Sequence, residues 1–182
     1  RYASTEEIQR IGEILKRDYE THPRPVSFIL ILMLTGARPK SIECSTWNNL
    51  EKIGDSGVLT FFGKTSDSSG EDEVVIIPPA AMKILETLPR KETLTGIKVP
   101  RLYWEKVRKE AACEDLWLRD LRRTFATIGL SEGESVGVIG ELLNHKSTQT
   151  NAIYAKLLGT KRISTALTIA DKMAGLLQLK GI

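Results

Sequence analysis

Six side chains in this 182-residue sequence are of types able to act on a phosphate together: Arg38, Lys64, Arg119, Arg122, His145 and Tyr154. Each sits in a short segment with its own local logic. In Leu34-Thr35-Gly36-Ala37-Arg38-Pro39 an arginine follows an apolar run and a glycine turn, which sets it at the edge of a core, facing a cleft. In Gly63-Lys64-Thr65 a lysine stands at the mouth of a hairpin. Residues 118–127, Leu-Arg-Asp-Leu-Arg-Arg-Thr-Phe-Ala-Thr, carry Arg119, Arg122 and Arg123. Leu142-Leu143-Asn144-His145 is followed nine residues later by Tyr154. Guanidiniums offer planar, paired donors to phosphate oxygens, and a phenol oxygen is a nucleophile that forms a covalent link. Taken singly, each segment also has an ordinary reading. Arg38 fits a helix end, Lys64 a solvated turn and the arginines a solvated helix face. His145 fits a cap or a satisfied core histidine, and Tyr154 half-buried packing.

Other chemistries find no residues. The chain has two histidines, His22 and His145, with no HExxH and no carboxylate cluster, so no metal is expected. Neither GxxxxGK[ST] nor GxGxxG occurs, and no GxSxG elbow presents a serine. Cys44 and Cys113 form no CxxC pair and are expected as reduced core residues of an intracellular protein. No run of about 18 apolar residues exists to span a membrane. A net charge of +3 and a pI near 8.9 permit a nucleic-acid partner without requiring one. Arg1-Tyr2-Ala3-Ser4 lacks an initiator Met and an apolar leader, which suggests a processed or truncated chain.

The elements that must position these residues follow from pattern. Ser4 and Thr5 before Glu6 and Glu7 read as a cap, and Ile8, Ile11, Ile14 and Leu15 as the apolar face of a first helix. His22-Pro23-Arg24-Pro25 breaks it. The apolar run 26–34 is too short for a membrane and is expected as a buried helix closed by Gly36. Pro39 starts a short helix toward Trp47. Residues 58–62 and 73–77 are β-rich and flank a polar loop, a hairpin with a long tip. Helical patterns then cover 80–88, 102–112, 118–130, 135–143, 148–158 and 163–179, with 94–100 as a linker. The fold class expected is mainly α with a small antiparallel β-sheet (α+β), in one domain over 1–182.

In combination, the order Arg, Lys, Arg-x-x-Arg, His, Tyr resembles the tyrosine-recombinase (phage-integrase) family from Thr35 to Tyr154. The wording Leu-Arg-Arg-Thr-Phe-Ala-Thr is the most specific part. The resemblance implies that family's catalytic-domain fold and a site-specific recombinase that cleaves and rejoins DNA through a 3′-phosphotyrosyl intermediate, with no cofactor, metal or ATP. It implies Tyr154 as nucleophile, Arg38 and Arg122 clamping the scissile phosphate, Lys64 protonating the leaving 5′ oxygen and His145 bonding the phosphate. Arg119 stands where the family's first His usually stands. Ser41 replaces an acidic residue that supports the first arginine, with Glu43 two residues off register, and Asn144 replaces the Gly before His145. Arg119 cannot transfer protons and is expected to act by charge alone. Arg119 and Arg122, three apart on one helix, would share a face.

The same resemblance implies double-stranded DNA as partner, a homo-oligomer (tetramer) on DNA, and a cytoplasmic, nucleoid-associated enzyme. It implies that the family's N-terminal DNA-clamping domain is missing from this chain. Family members often lend their last helix to a neighbour, and Ile163, Ala166, Leu167, Ala170, Met173 and Leu177 form a stripe suited either to that or to packing on their own domain. Three other readings stand beside it: a type IB topoisomerase or telomere resolvase with the same chemistry, a DNA-binding module that has lost catalysis, and an unrelated helical domain.

Overall fold

The computed structural model describes residues 1–61, 73–143 and 154–179, with the backbone alone at 73 and 154–161. Helix α1 (Thr5–Asp18) starts on a capping box: Ser4 Oγ accepts the Glu7 N–H at 3.2 Å, and the Glu7 carboxylate accepts the Ser4 N–H at 2.8 Å. Its stripe Ile8, Ile11, Ile14 and Leu15 is buried. The expected break after the first helix falls at residues 19–22, and the proline pair then opens α2 (Pro23–Thr35) three residues before the apolar run. First-turn positions need no N–H, and the fixed proline φ suits them.

All of residues 26–35 are buried, so α2 is apolar on every side and forms the central strut. Around it pack α4 (Pro79–Thr87), α6 (Asp120–Ser131), α8 (Tyr154–Leu176) and strand β3 (Glu73–Ile77). The short α3 (Pro39–Cys44), α5 (Arg101–Glu110) and α7 (Val136–Leu142) complete the helices among the described residues. Strands β1 (Leu50–Ile53), β2 (Ser56–Phe61) and β3 form one antiparallel sheet in the order β1-β2-β3, with Leu59 facing Leu50 on one side and Val75 on the other.

The mainly α fold with a small antiparallel sheet is as expected, with three differences. The edge strand β1 has no alternating pattern: after half-buried Leu50 it is exposed, so only its pairing with β2 makes it a strand. Helices expected at 148–158 and 163–179 are, from Tyr154 on, one continuous α8 that passes through Gly159; 148–153 lie outside the described residues. A glycine inside a helix costs about 1 kcal/mol, which the turns beyond it outweigh by burying Ala166, Ile169, Ala170, Met173 and Leu177. Of the expected stripe, Ala166, Ala170, Met173 and Leu177 are thus packed on the chain's own core and Ile163 and Leu167 are half-buried. At its end α8 lies backbone to backbone on α1: a Cβ on Gly12 would stand 2.6 Å from the Leu177 carbonyl oxygen.

The third difference is Cys44, which is half-buried rather than core; Cys113 is buried, and burial pushes its thiol up to about 11. Among the described residues no helix is long and apolar enough to cross a membrane, and no group of three potential metal ligands converges.

Candidate active site

The site is organised around the end of α2. Gly36 caps that helix in the left-handed region at φ 65. A Cβ there would lie 2.7 Å from the Phe125 ring and 2.8 Å from a Leu143 methyl. The turn is therefore wedged between α6 and the end of α7, and only a hydrogen in place of a side chain fits. Thr35 Oγ1 locks it from below, donating to Ile31 O at 2.6 Å and accepting the Ala37 N–H at 3.2 Å. The chain then becomes extended at Arg38 (φ −70, ψ 139), whose carbonyl accepts the Ile42 N–H as α3 begins. Arg38 is half-buried at this junction, at the core edge as expected.

Arg122 reaches the same place from α6. Its core-facing neighbours Leu121, Phe125 and Ile128 are buried, which holds the first turn of α6 against α2. One Nη donates to the Gly36 carbonyl at 2.9 Å, and the other donates to the Leu143 carbonyl. Gly36 precedes Arg38 by two residues, and Leu143 precedes His145 by two. One guanidinium thus ties the Gly36 turn before Arg38 to the end of α7 at Leu143. Two of its five N–H donors serve these carbonyls.

Arg119 stands at the N-cap position of α6, with helical backbone angles (φ −66, ψ −25), exposed and with no side-chain cap bond. The helix begins at Asp120 because that buried carboxylate accepts the Trp117 N–H at 2.9 Å and closes the preceding turn. Arg123 turns the other way, to Asp120 at 3.2 Å. Arg122 is bound at the Gly36 turn, Arg123 is exposed against Asp120, and Arg119 is exposed immediately before Asp120. Glu43 is engaged by Lys40 and by the Val99 N–H at 3.0 Å, and these hydrogen bonds, Lys40's first, hold its carboxyl below the usual range. It fastens α3 to the segment before α5. Ser41, at the position of the family's acidic residue, is buried.

Lys64 and His145 lie outside the described residues. Tyr154 opens α8, a helix that packs on α2, α6 and α7, the elements that meet at Gly36. Sequence reading had not singled out Phe125 and Leu143 as walls of the Gly36 turn; the Thr-Gly pair before Arg38 was the one local signal for it.

Comparison with known proteins bears on the fold. No protein-family model matches the chain. Tyrosine recombinase XerA of Pyrococcus furiosus is 26% identical over 191 aligned residues, covering 94% of this chain and 62% of that protein. Among solved structures, XerH site-specific recombinase bound to its difH substrate in a pre-cleavage complex superposes with a TM-score of 0.61 at 17% identity, over 89% of this chain and 49% of that one. XerH in a post-cleavage complex with palindromic difH gives 0.62 at 18%, over 91% and 52%. This chain has the tyrosine-recombinase catalytic-domain fold. It spans 62% of the curated relative and about half of each structural neighbour. Of the residues expected from the sequence to form a site, Arg122 is bound at the Gly36 turn and Arg38 follows that turn by two residues.

Proposed function

We propose that this chain is the catalytic domain of a site-specific DNA recombinase acting on double-stranded DNA as a homo-oligomer, a tetramer on its target. The observation that carries the reading is the Arg122 guanidinium bonded to both Gly36 and Leu143, which supports Arg38, Arg122 and His145 belonging to one site. In that site Tyr154 gives its phenol proton to His145 or water, and its oxygen attacks the scissile phosphorus. A 3′-phosphotyrosyl bond forms, the bond to the 5′ oxygen breaks, and Lys64 gives that oxygen its proton. Arg38 and Arg122 hold the non-bridging oxygens, where negative charge grows in the transition state. His145 adds a hydrogen bond, and Arg119 adds charge from the mouth of the site. The phosphodiester energy is kept in the tyrosyl link, so a second DNA end reverses the step without ATP.

The test is trapping on nicked suicide duplexes drawn from DNA flanking the protein's own gene. The unsubstituted protein should yield a covalent protein–DNA adduct, and Tyr154→Phe should yield none while binding DNA nearly as well. An adduct with the Phe variant removes Tyr154 as nucleophile. A second reading, a DNA-binding module without catalysis, draws on the exposed Arg119 in place of a proton-transferring histidine; binding with no adduct from the unsubstituted protein would select it.

A further inference from the structure

Away from the residues assigned above, Trp117 stands out. It is 53% exposed, on the turn leading into α6. That turn is fixed on both sides. The buried Trp104 indole donates to the Leu116 carbonyl at 3.0 Å, Asp120 accepts the Trp117 N–H at 2.9 Å, and the Asp120 N–H returns to the Trp117 carbonyl at 2.8 Å. The guanidinium of Arg108, from the last turn of α5, lies 4.4 Å over the indole ring. Its Nη1 is held by the Glu114 carbonyl at 2.6 Å. A large aromatic ring is thus presented to solvent in one orientation, capped by a cation. Trp, with an apolar ring and one polar N–H, is enriched where such a ring meets a binding partner.

Between residues 108 and 123 five basic side chains, Arg108, Lys109, Arg119, Arg122 and Arg123, stand against four acids. Three of those acids are paired, Glu110 with Arg17, Asp115 with Arg1 and Asp120 with Arg123. The stack is also near the site. Five residues separate Trp117 from Arg122, at most about 17 Å of chain, or about five base pairs of duplex.

We propose that the Trp117–Arg108 stack packs on the sugar–phosphate backbone of duplex DNA beside the cleavage position, the indole against a deoxyribose and the guanidinium edge toward the adjoining phosphate. The proposal rests on the strand-transfer reading above and adds a contact to it. The ring orders the guanidinium before DNA arrives, and the guanidinium turns an apolar patch into one suited to a polyanion. Such a contact positions the duplex without reading its sequence.

The experiment is a titration of this chain with a fluorescein-labelled duplex of arbitrary sequence at two salt concentrations. Trp117→Ala and Arg108→Ala should each weaken binding on the order of three- to tenfold, with only a small change in thermal midpoint, because Trp117 is exposed and Arg108 half-buried. Arg108→Ala should lower the salt slope by about one, and Trp117→Ala should leave it alone. Arg108→Lys should restore the slope but not the full affinity. Duplex should quench tryptophan emission in the unsubstituted protein and far less in Trp117→Phe, because Trp104 is buried and Trp47 half-buried beneath Arg90. Binding within twofold of the unsubstituted protein in every variant overturns the proposal. So does a change in sedimentation of the free chain with Trp117→Ala at unaltered DNA affinity, which would assign the patch to a second copy. Adduct formation on the suicide duplex keeps the two proposals apart. Patch-dependent binding without an adduct sinks strand transfer and leaves the stack; an adduct with patch-independent binding does the reverse. No duplex binding at all sinks both.

Discussion

Gly36 and Arg122 need each other for different reasons. Gly36 must adopt a positive φ and must lack a Cβ, and Arg122 bonds the carbonyl that this geometry presents. Gly36→Ala meets both penalties, left-handed strain of about 1–2 kcal/mol and overpacking of about 1–3 kcal/mol. Urea unfolding should show a loss of roughly 2–5 kcal/mol, and adduct formation should fall with it. Arg122→Lys keeps the charge but has one nitrogen where two bridge 36 and 143; cleavage on the suicide duplex should drop on the order of 100- to 1000-fold. Arg119 is exposed, so its contribution is screened. Arg119→Ala should slow cleavage, with a deficit that shrinks as salt rises, while Arg119→His is tolerated. An Arg119→Ala rate equal to that of the unsubstituted protein would make Arg119 an ordinary surface residue.

Among elements, the α1–α5 contact shows how a buried charge is held. Asp18, at the end of α1, is 6% exposed. It accepts from Arg17 at 2.9 Å and, on α5, from Tyr103 Oη and Lys106 Nζ at 3.1 Å each. Burial alone would raise its pKa, but these hydrogen bonds win and bring it down to about 2. A depressed folded value means the stabilisation is whole above the unfolded value of about 3.9 and fades as pH falls toward 2. Asp18→Asn should cost about 1–3 kcal/mol near neutrality, and the gap between its urea midpoint and that of the unsubstituted protein should narrow from pH 5 to pH 3. A gap independent of pH would mean that packing, not charge, sets the effect. At this scale the sequence was legible where a pattern is local, as in the α1 capping box and the uniformly apolar α2. It was not legible at β1, whose strand character comes from β2, nor at the start of α6, where the Asp120 bond to Trp117 sets the first turn and leaves Arg119 outside.

For the whole molecule, the prediction concerns DNA affinity. A net charge of +3 is modest, and the chain spans 62% of its curated relative. Alone it should bind duplex weakly, with log affinity falling by about 0.9 per neutralised phosphate for each log unit of salt. Tight binding that ignores salt would contradict a phosphate-centred interface. What the sequence by itself determined was the order of the residues proposed for the site: Arg38, Lys64, Arg119, Arg122, His145 and Tyr154 are recognisable because side-chain type and short spacing are written in the chain. That Arg122 joins the Gly36 and Leu143 carbonyls was decided only by the tertiary structure. These bonds span 86 and 21 residues, and contacts at such separation arise from the packing of α2, α6 and α7, which leaves no local pattern to read.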